Sequence, residues 1–525
     1  MTRAYDVVVI GAGHNGLVTA ALLAKAGRKV LVVERRGRVG GLVDTEELVP
    51  GVRVPGPFLT VGRFRTSLAE RLGLAAHGFR SVVPGARVFA PQADGSAVTI
   101  WSDPARTAGE LEAREPADAA AWAAFDGRVR GLARFVRALH EATPPDLAGP
   151  SFSDALTGLR LGRAFRRLGR REGREATRIL PMSVADFLSE HLRDPALMGA
   201  LAVRGVRHTA MGPWSAGTAA VFLADAAESV DDGAAGEATQ AIGGPGSLAE
   251  ALAAVARAAG AEIRLGAEVR ALRMDEGQVR GVVLADGEEI VARAVASAAD
   301  PKRTLATLAD PVELGPHLRW RATNIRTPGT VSRVDLVLSS APVFAGGDGE
   351  RIAGRIVVGG SVDDLERAHD ATKYGRIADA PWLEATVPTL ADPGLATEGR
   401  HVLSVLVHGT PYDLRDRGWD DARDAVVEAV LARLDPVAPK LRATVLTSRA
   451  RTPFDLERDY GVSGGHLLHA EPGLDQWFAW RPLLGHARGR FGLPGLYLCG
   501  SGGHPGGGVT GGPGERAARA ILRDV

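Results

Sequence analysis

The sequence predicts an α/β protein in which a parallel-sheet domain, assembled from separated chain segments, is interleaved with a second, α+β domain. Three observations near the start predict it. An all-apolar run, Val7-Val8-Val9-Ile10, passes at once into Gly11-Ala12-Gly13-His14-Asn15-Gly16. A helical stretch from Leu17 to Ala26 is then stopped by Gly27, and a second apolar run from Lys29 to Val33 ends on Glu34. Strand, glycine turn, helix, strand and acid in that order are the sequence form of a site for the adenosine half of a dinucleotide.

Each position in the turn has a physical reason. Gly11 permits the tight turn, Gly13 lets backbone N–H groups approach a pyrophosphate, and Gly16 lets the helix pack closely on the strand. His14 and Asn15 lie in the same turn, and the helix N-terminus faces negative charge. The bare GxGxxG pattern is weak in a chain with 66 glycines in 525 residues, where roughly one match is expected by chance. Context carries it: Glu34 lies 18 residues beyond Gly16, where a carboxylate accepts ribose hydroxyls.

After Glu34 come Arg35-Arg36-Gly37-Arg38-Val39-Gly40-Gly41 and Asp44-Thr45. Two adjacent glycines allow a second backbone segment to pass over the cofactor, which bound NAD does not require. The run resembles the R-x-G-G element of FAD-containing oxidoreductases of the glutathione-reductase type. Non-covalently held FAD is therefore expected, with Arg35, Arg38, Gly40 and Gly41 beside it.

Composition narrows the remaining classes. Hydrophobic content of 45%, charge of 24% and a net charge of +1 are ordinary for a globular protein and give no case for nucleic acid. Positive charge is overwhelmingly arginine, which reads as a coding bias. Cys499 is the sole cysteine, so an intramolecular disulfide, a CxxC redox pair and a cysteine-based zinc site are excluded. Residues 1–5 leave no room for a signal peptide before the first strand, and no apolar run is long enough to span a bilayer. A cytoplasmic protein is the expectation.

Three segments, 1–75, 241–308 and 455–525, read as pieces of one nucleotide-binding domain. In the second, a helix carrying Leu248, Leu252 and Val255 is closed by Gly260. Strands follow at 263–265 and from Val269, which is expected at the cofactor. Strands 279–284 and 290–295 flank the hairpin signal Asp286-Gly287. In the third, Leu496 to Cys499 runs into a glycine-rich turn beginning at Gly500, and a final helix begins near Glu515. The intervening stretches, 76–240 and 309–454, form the substrate or cap domain, with substrate expected between the two domains.

Residues 159–178 carry arginines at 160, 163, 166, 167, 170, 171, 174 and 178, with Leu161, Phe165 and Leu168 spaced i, i+4, i+7. This basic amphipathic helix suits either peripheral contact with an anionic membrane surface or a solvated cap helix with a packed apolar stripe. The short stripe favours the second.

The C-terminal run from Gly500 to Gly514 contains a second GxGxxG match, Gly506 to Gly511, but no acid-ended strand follows. No separate NAD(P) unit is therefore expected. Its glycines let backbone reach a flat ring, and a helix N-terminus aimed there stabilises negative charge on a reduced flavin. Gly508, Val509, Thr510 and Gly511 are the nearest candidates.

The first glycine turn, the Gly40-Gly41 pair, Ala299-Asp300-Pro301 and Gly503-His504-Pro505-Gly506-Gly507 resemble the phytoene desaturase-related FAD oxidoreductases. Leu474-Asp475-Gln476 with Arg481-Pro482, preceded by His469, is similar to the branch holding the desaturase-like carotene ketolases and the pyridine nucleotide-disulfide oxidoreductase domain-containing protein 2 group. That branch usually has Asn where Ala298 stands here. The resemblance implies FAD and a lipophilic or conjugated substrate from which hydride is removed to form C=C or C=O. Flavin reoxidation would fall to oxygen, a quinone or another acceptor. Structural FAD in a regulatory protein and a non-redox flavin isomerase are the alternatives.

No Ser/His/Asp or paired-carboxylate set stands out, so the chemistry is expected to centre on the flavin. His469 and Arg481 are the side-chain candidates for catalysis, with Trp477 and Trp480 as pocket lining. Arg481 anchors a carboxylate, polarises a carbonyl or makes a structural ion pair. His466 and His469 lack a third ligand, so no metal is expected. Cys499 reads as a packed small residue.

Overall fold

The computed structural model describes residues 4–147, 149–229, 233–491 and 493–525. The nucleotide-binding layer is a seven-stranded sheet. The opening strand, Tyr5–Ile10, lies parallel between Val30–Val33 and Glu289–Ser297. Glu262–Arg264 extends the parallel set beyond Val30–Val33, and Leu496–Leu498 extends it beyond the other edge. Strands Val269–Asp275, Gln278–Leu284 and Glu289–Ser297 form an antiparallel meander, so the last of them serves both arrangements.

The parallel strands read as unbroken apolar runs because both faces are buried. Val7, Val9, Val30 and Val32 pack under helices His14–Lys25, Gly246–Ala258 and Gly512–Asp524. Val8, Ile10, Leu31 and Val33 face the meander and the segment around Leu305 and Ala322. The final helix begins at residue 512, earlier than the sequence suggests, because Gly511 with φ 74° makes the turn and Pro513 occupies the first turn.

A second seven-stranded sheet carries strands from 86–101, 331–338, 355–358, 382–386, 401–408 and 445–451. Side chains alternate across it with period two. Val88, Ala90 and Val357 pack beneath a helical layer that includes Pro116–Glu141, Pro195–Val206 and Thr218–Glu228. Phe89, Ile356 and Val358 pack on the opposite face with helix Trp419–Leu434.

The basic segment differs from the single helix its periodicity suggests. It is two helices, Phe152–Arg167 and Gly169–Ile179, broken where Gly169 takes φ 80°. The stripe of Phe165 and Leu168 turns inward, with the Phe165 ring 5.5 Å from Phe135, while Phe152, Leu156 and Leu159 are exposed. Among the described residues no helix is long and apolar enough to cross a membrane.

One contact joins the two ends of the chain. A Cβ on Gly514 would sit 2.3 Å from the Asn15 carbonyl oxygen, so the last helix lies directly on the first glycine turn. Gly514→Ala is expected to cost about 2–3 kcal/mol of stability through overpacking and to lower flavin content. Gly127→Ala, in an open helical position with nothing within 4 Å of the added methyl, is expected to be neutral or stabilising by up to about 1 kcal/mol. Urea unfolding midpoints of the two variants check the contrast.

Candidate flavin cleft and interdomain pocket

A cleft of about 890 Å³ opens at the carboxyl ends of the parallel strands. Of the residues predicted at the cofactor, Gly11, Gly13, His14, Asn15, Glu34, Arg35, Gly41, Val269 and Gly500 line it, as does His469. The helix beginning at His14 has Gly13 as its N-cap, no side-chain cap and no acid in its first turn. Its N-terminal N–H groups are thus available to an anion. Gly41 is held against the first turn: a Cβ there would lie 3.1 Å from the Gly13 Cα.

Glu34 accepts the Ala12 N–H at 2.8 Å on one oxygen and the Arg36 N–H at 2.9 Å on the other. It braces the glycine turn while keeping lone pairs for hydroxyl donors. Gly16 and Gly40 act one step back from the cleft. A Cβ on Gly16 would fall 2.1 Å from the Gly11 carbonyl oxygen, and the Gly40 N–H donates to the Ala12 carbonyl at 2.9 Å.

The structure departs from the expected contacts at several positions. Arg38 does not line the cleft, because Asp44 and Glu46 hold its guanidinium at 2.9 Å. Gly508, Val509, Thr510 and Gly511 do not line it either. Val509 is in the core beside Phe64 and Leu68, and the same two side chains crowd Gly511. Thr510 is fully buried and accepts the Gly512 N–H. Gly508 lies behind the cleft, its carbonyl accepting from the Ser501 hydroxyl at 3.5 Å. Pro505, Gly506 and Gly507 are the turn residues that line a second pocket.

Among the described residues Arg481 makes no ion pair. Buried to 1% exposure, it donates to the carbonyls of Leu468, Ala470, Glu471, Gln476 and Ser501. Burial lowers its pKa to about 10. Its Nε has no partner and points at Gly506, where an added Cβ would lie 2.3 Å away. Trp480 is half-exposed and outside the pocket. Cys499 is packed in the core, its thiol pushed up to about 12 by burial.

Sequence reasoning missed the roof and the charged side of the second chamber. Tyr460, Gly461 and Val462 close over the cleft, and Asp300 anchors that roof by accepting the Ser463 N–H at 3.0 Å. Beyond the wall lies that second pocket, lined by cap helices, Arg63 and the 468–507 stretch. Val221, Leu468, Leu474 and Trp477 supply an apolar side, while Arg63, Arg204, Arg207, Asp225 and Glu228 supply a charged one, joined by the His140 ring. Trp477 Nε1 donates to His140 Nε2 at 3.1 Å, which leaves the ring proton on Nδ1, 2.7 Å from Glu228.

The chemistry of the cleft matches FAD. Its uncapped helix N-terminus fits a pyrophosphate and its braced acid a ribose. His14 Nε2, Asn15 Oδ1 and His469 Nδ1 are buried polar atoms without partners along the same wall. Fold and cleft together define an FAD-dependent oxidoreductase. Residues 108–522 match the flavin containing amine oxidoreductase family and residues 9–83 an NAD(P)-binding Rossmann-like domain.

The chain belongs to that amine oxidoreductase family and, within it, to the phytoene desaturase-related FAD oxidoreductases. It is 31% identical to the rat pyridine nucleotide-disulfide oxidoreductase domain-containing protein 2, over 99% of this chain and 94% of that protein. It is 26% identical to the phytoene desaturase of Fusarium fujikuroi, over 96% of this chain and 86% of the other. Among solved structures, an oxidoreductase from Methanosarcina mazei superposes with a TM-score of 0.61 at 18% identity, covering 99% of this chain and all of that one.

Six buried histidines set the acid response. Burial pushes His14 and His466 down to about 3 and His469 to about 4. It also holds His208, His408 and His504 well below the usual imidazole value. Below pH ~6.5 the unfolded chain binds protons at these rings and the folded chain does not, so stability falls as pH falls. Each ring costs about 1.4 kcal/mol one unit below its unfolded pKa. Asp300 and Glu237, raised by burial, give the opposite slope but are fewer. The thermal midpoint is expected to drop between pH 7.5 and 5.5; a flat or rising midpoint contradicts the assignment.

Proposed function

We propose that this oxidoreductase removes a hydride equivalent and a proton from a substrate with an apolar body, forming C=C or C=O, with oxygen, a quinone or another acceptor reoxidising the flavin. The observation that carries the reading is a shared wall. Adjacent residues Leu468 and His469 line the pocket and the cleft respectively, as do Gly506 and Ser501 on the returning turn. A group held in the cleft is one residue's thickness from a molecule in the pocket. The phytoene acted on by the relative named above is a hydrocarbon, which agrees with an apolar side to that pocket.

FAD, when bound, supplies a two-electron hydride acceptor. Gly11, Gly13, Gly41 and the uncapped helix at His14 would hold its pyrophosphate, and Glu34 its ribose, in the manner of the glutathione-reductase type. The residues of this chain then position and neutralise. Arg481, a cation without a carboxylate partner, favours negative charge beside the Gly506 turn. Val221, Leu468 and Trp477 exclude water. The His140–Glu228 pair holds a proton at Nδ1 and accepts at Nε2, the atom that faces Trp477.

Two experiments test this. Glu34→Ala is expected to weaken FAD retention about tenfold or more, the loss of one charge-assisted hydrogen-bond set, read as flavin-to-protein absorbance after dialysis. Anaerobic titration of the holoprotein with carotenoid and other isoprenoid candidates is expected to bleach the oxidised flavin band with one of them. Turnover without bleaching would make the protein an isomerase. An inert flavin across substrates that bind would make the FAD structural.

A further inference from the structure

We infer that the substrate carries a carboxylate, and that Arg63, Arg204 and Arg207 form the site that holds it at the charged end of the interdomain pocket. The inference rests on the reading that this pocket receives the substrate, and it names the substrate's chemical class more closely.

Three guanidinium groups converge on one carboxylate. Arg204 Nε donates to Asp225 Oδ2 at 2.7 Å, and Arg207 Nη1 and Arg63 Nη1 each lie 3.4 Å from Asp225 Oδ1. Glu384 takes only the Nε of Arg207, at 2.8 Å, and is itself shared with Arg355. Arg204 Nη2, Arg207 Nη2 and Arg63 Nε are left buried with no hydrogen-bond partner. Arg204 is fully buried, its Nη1 donating to the Gly233 and Ala234 carbonyls and its guanidinium lying over the Phe222 ring, so it fixes Asp225 from behind, while the Arg63 and Arg207 side chains, 15% and 10% exposed, are the ones that open on the pocket. A buried donor without an acceptor costs free energy that a fitting ligand recovers.

Charge points the same way. Among the described residues, the pocket lining carries four arginines, the fourth being Arg481, against Asp225 and Glu228. Glu384 answers Arg207 from behind the pocket and buried Glu237 stands near Arg63 and Arg207, so the cation left without a carboxylate partner is Arg481, and an anion in the pocket offsets it. The cluster already accepts a planar carboxylate, that of Asp225, and guanidinium forks suit a second one. Its place is also informative. The Arg63 guanidinium lies 3.2 Å from where a Cβ on Gly508 would sit and 3.4 Å from that of Gly507. The acidic head would therefore rest beside the glycine turn, with the apolar body against Val221, Leu468 and Trp477.

The test uses the holoprotein and three chain-matched probes, decanoate, decanamide and decyl phosphate, followed by flavin absorbance and by thermal midpoint. Decanoate is expected to bind saturably, about tenfold or more tighter than decanamide, with the advantage shrinking as salt rises. Arg207→Gln and Arg63→Gln, each purified with wild-type flavin content, are expected to reduce that preference to about threefold or less. The wild-type comparison needs no variant, and Arg63 is the less buried of the two should Arg207→Gln fold poorly. Equal binding of acid and amide, tighter binding of decyl phosphate, no binding of any probe, or an unchanged preference in a folded variant would overturn the inference. Binding is read without turnover. A protein that selects decanoate yet never bleaches its flavin would fail as a dehydrogenase while keeping its carboxylate site.

Discussion

The structure depends on how closely the last helix approaches the first glycine turn. Gly514 lies on the Asn15 backbone, Thr19 Oγ1 donates to the Gly514 carbonyl at 3.0 Å, and Asn15 Nδ2 donates to Ser501 Oγ at 3.0 Å. These contacts bridge almost the whole length of the chain. Because of them the strand at 496–498 completes the parallel set, the turn that follows is carried to the mouth of the cleft, and the segments before and after residues 241–308 must leave the sheet and return. A side chain at either Gly16 or Gly514 would separate these layers, and the cleft would lose its floor. Close backbone packing is therefore the constraint from which the cofactor site follows.

The interleaving that results has a consequence for the second chamber. Its residues come from a cap helix at 195–206, another at 218–228, the turn before helix Thr66–Leu72, and the 468–507 stretch. A pocket with so many contributors has a rigid charged lining that no single element could provide. Burying arginines there is costly, and ion pairs of this kind rarely add net stability over apolar packing. That cost agrees with the carboxylate-binding role inferred for them above.

Legibility from sequence followed the range of the interactions. The opening strand, turn, helix and acid were readable because every contact that defines them is local: Glu34 braces the amide of Ala12, only 22 residues away. The break at Gly169 was not, since a glycine inside a helical pattern is usually tolerated. Arg38 could not be distinguished from Arg35 by spacing alone; Asp44 and Glu46 decide the matter by drawing one guanidinium away. The pocket arginines carried no signal at all. In a chain so rich in arginine, Arg204 and Arg207 resemble any solvated residue until the fold brings Arg63 and Asp225 to them.

The misplacement of the flavin-turn contacts has the same origin. Reading residues 508–511 as the exposed part of the turn assumes that dense glycine means open backbone. Instead, a helix that must start at Gly511 needs an apolar seat, which Phe64 and Leu68 provide, and Val509 is consumed in making it. The turn therefore presents its earlier half, Gly506 and Gly507, to the pocket. Arg481 and Arg63 stand against that half from two sides, so backbone without side chains admits two cations there. Packing on one face of the turn and positive charge on the other are two results of one geometric choice, the left-handed start of the final helix.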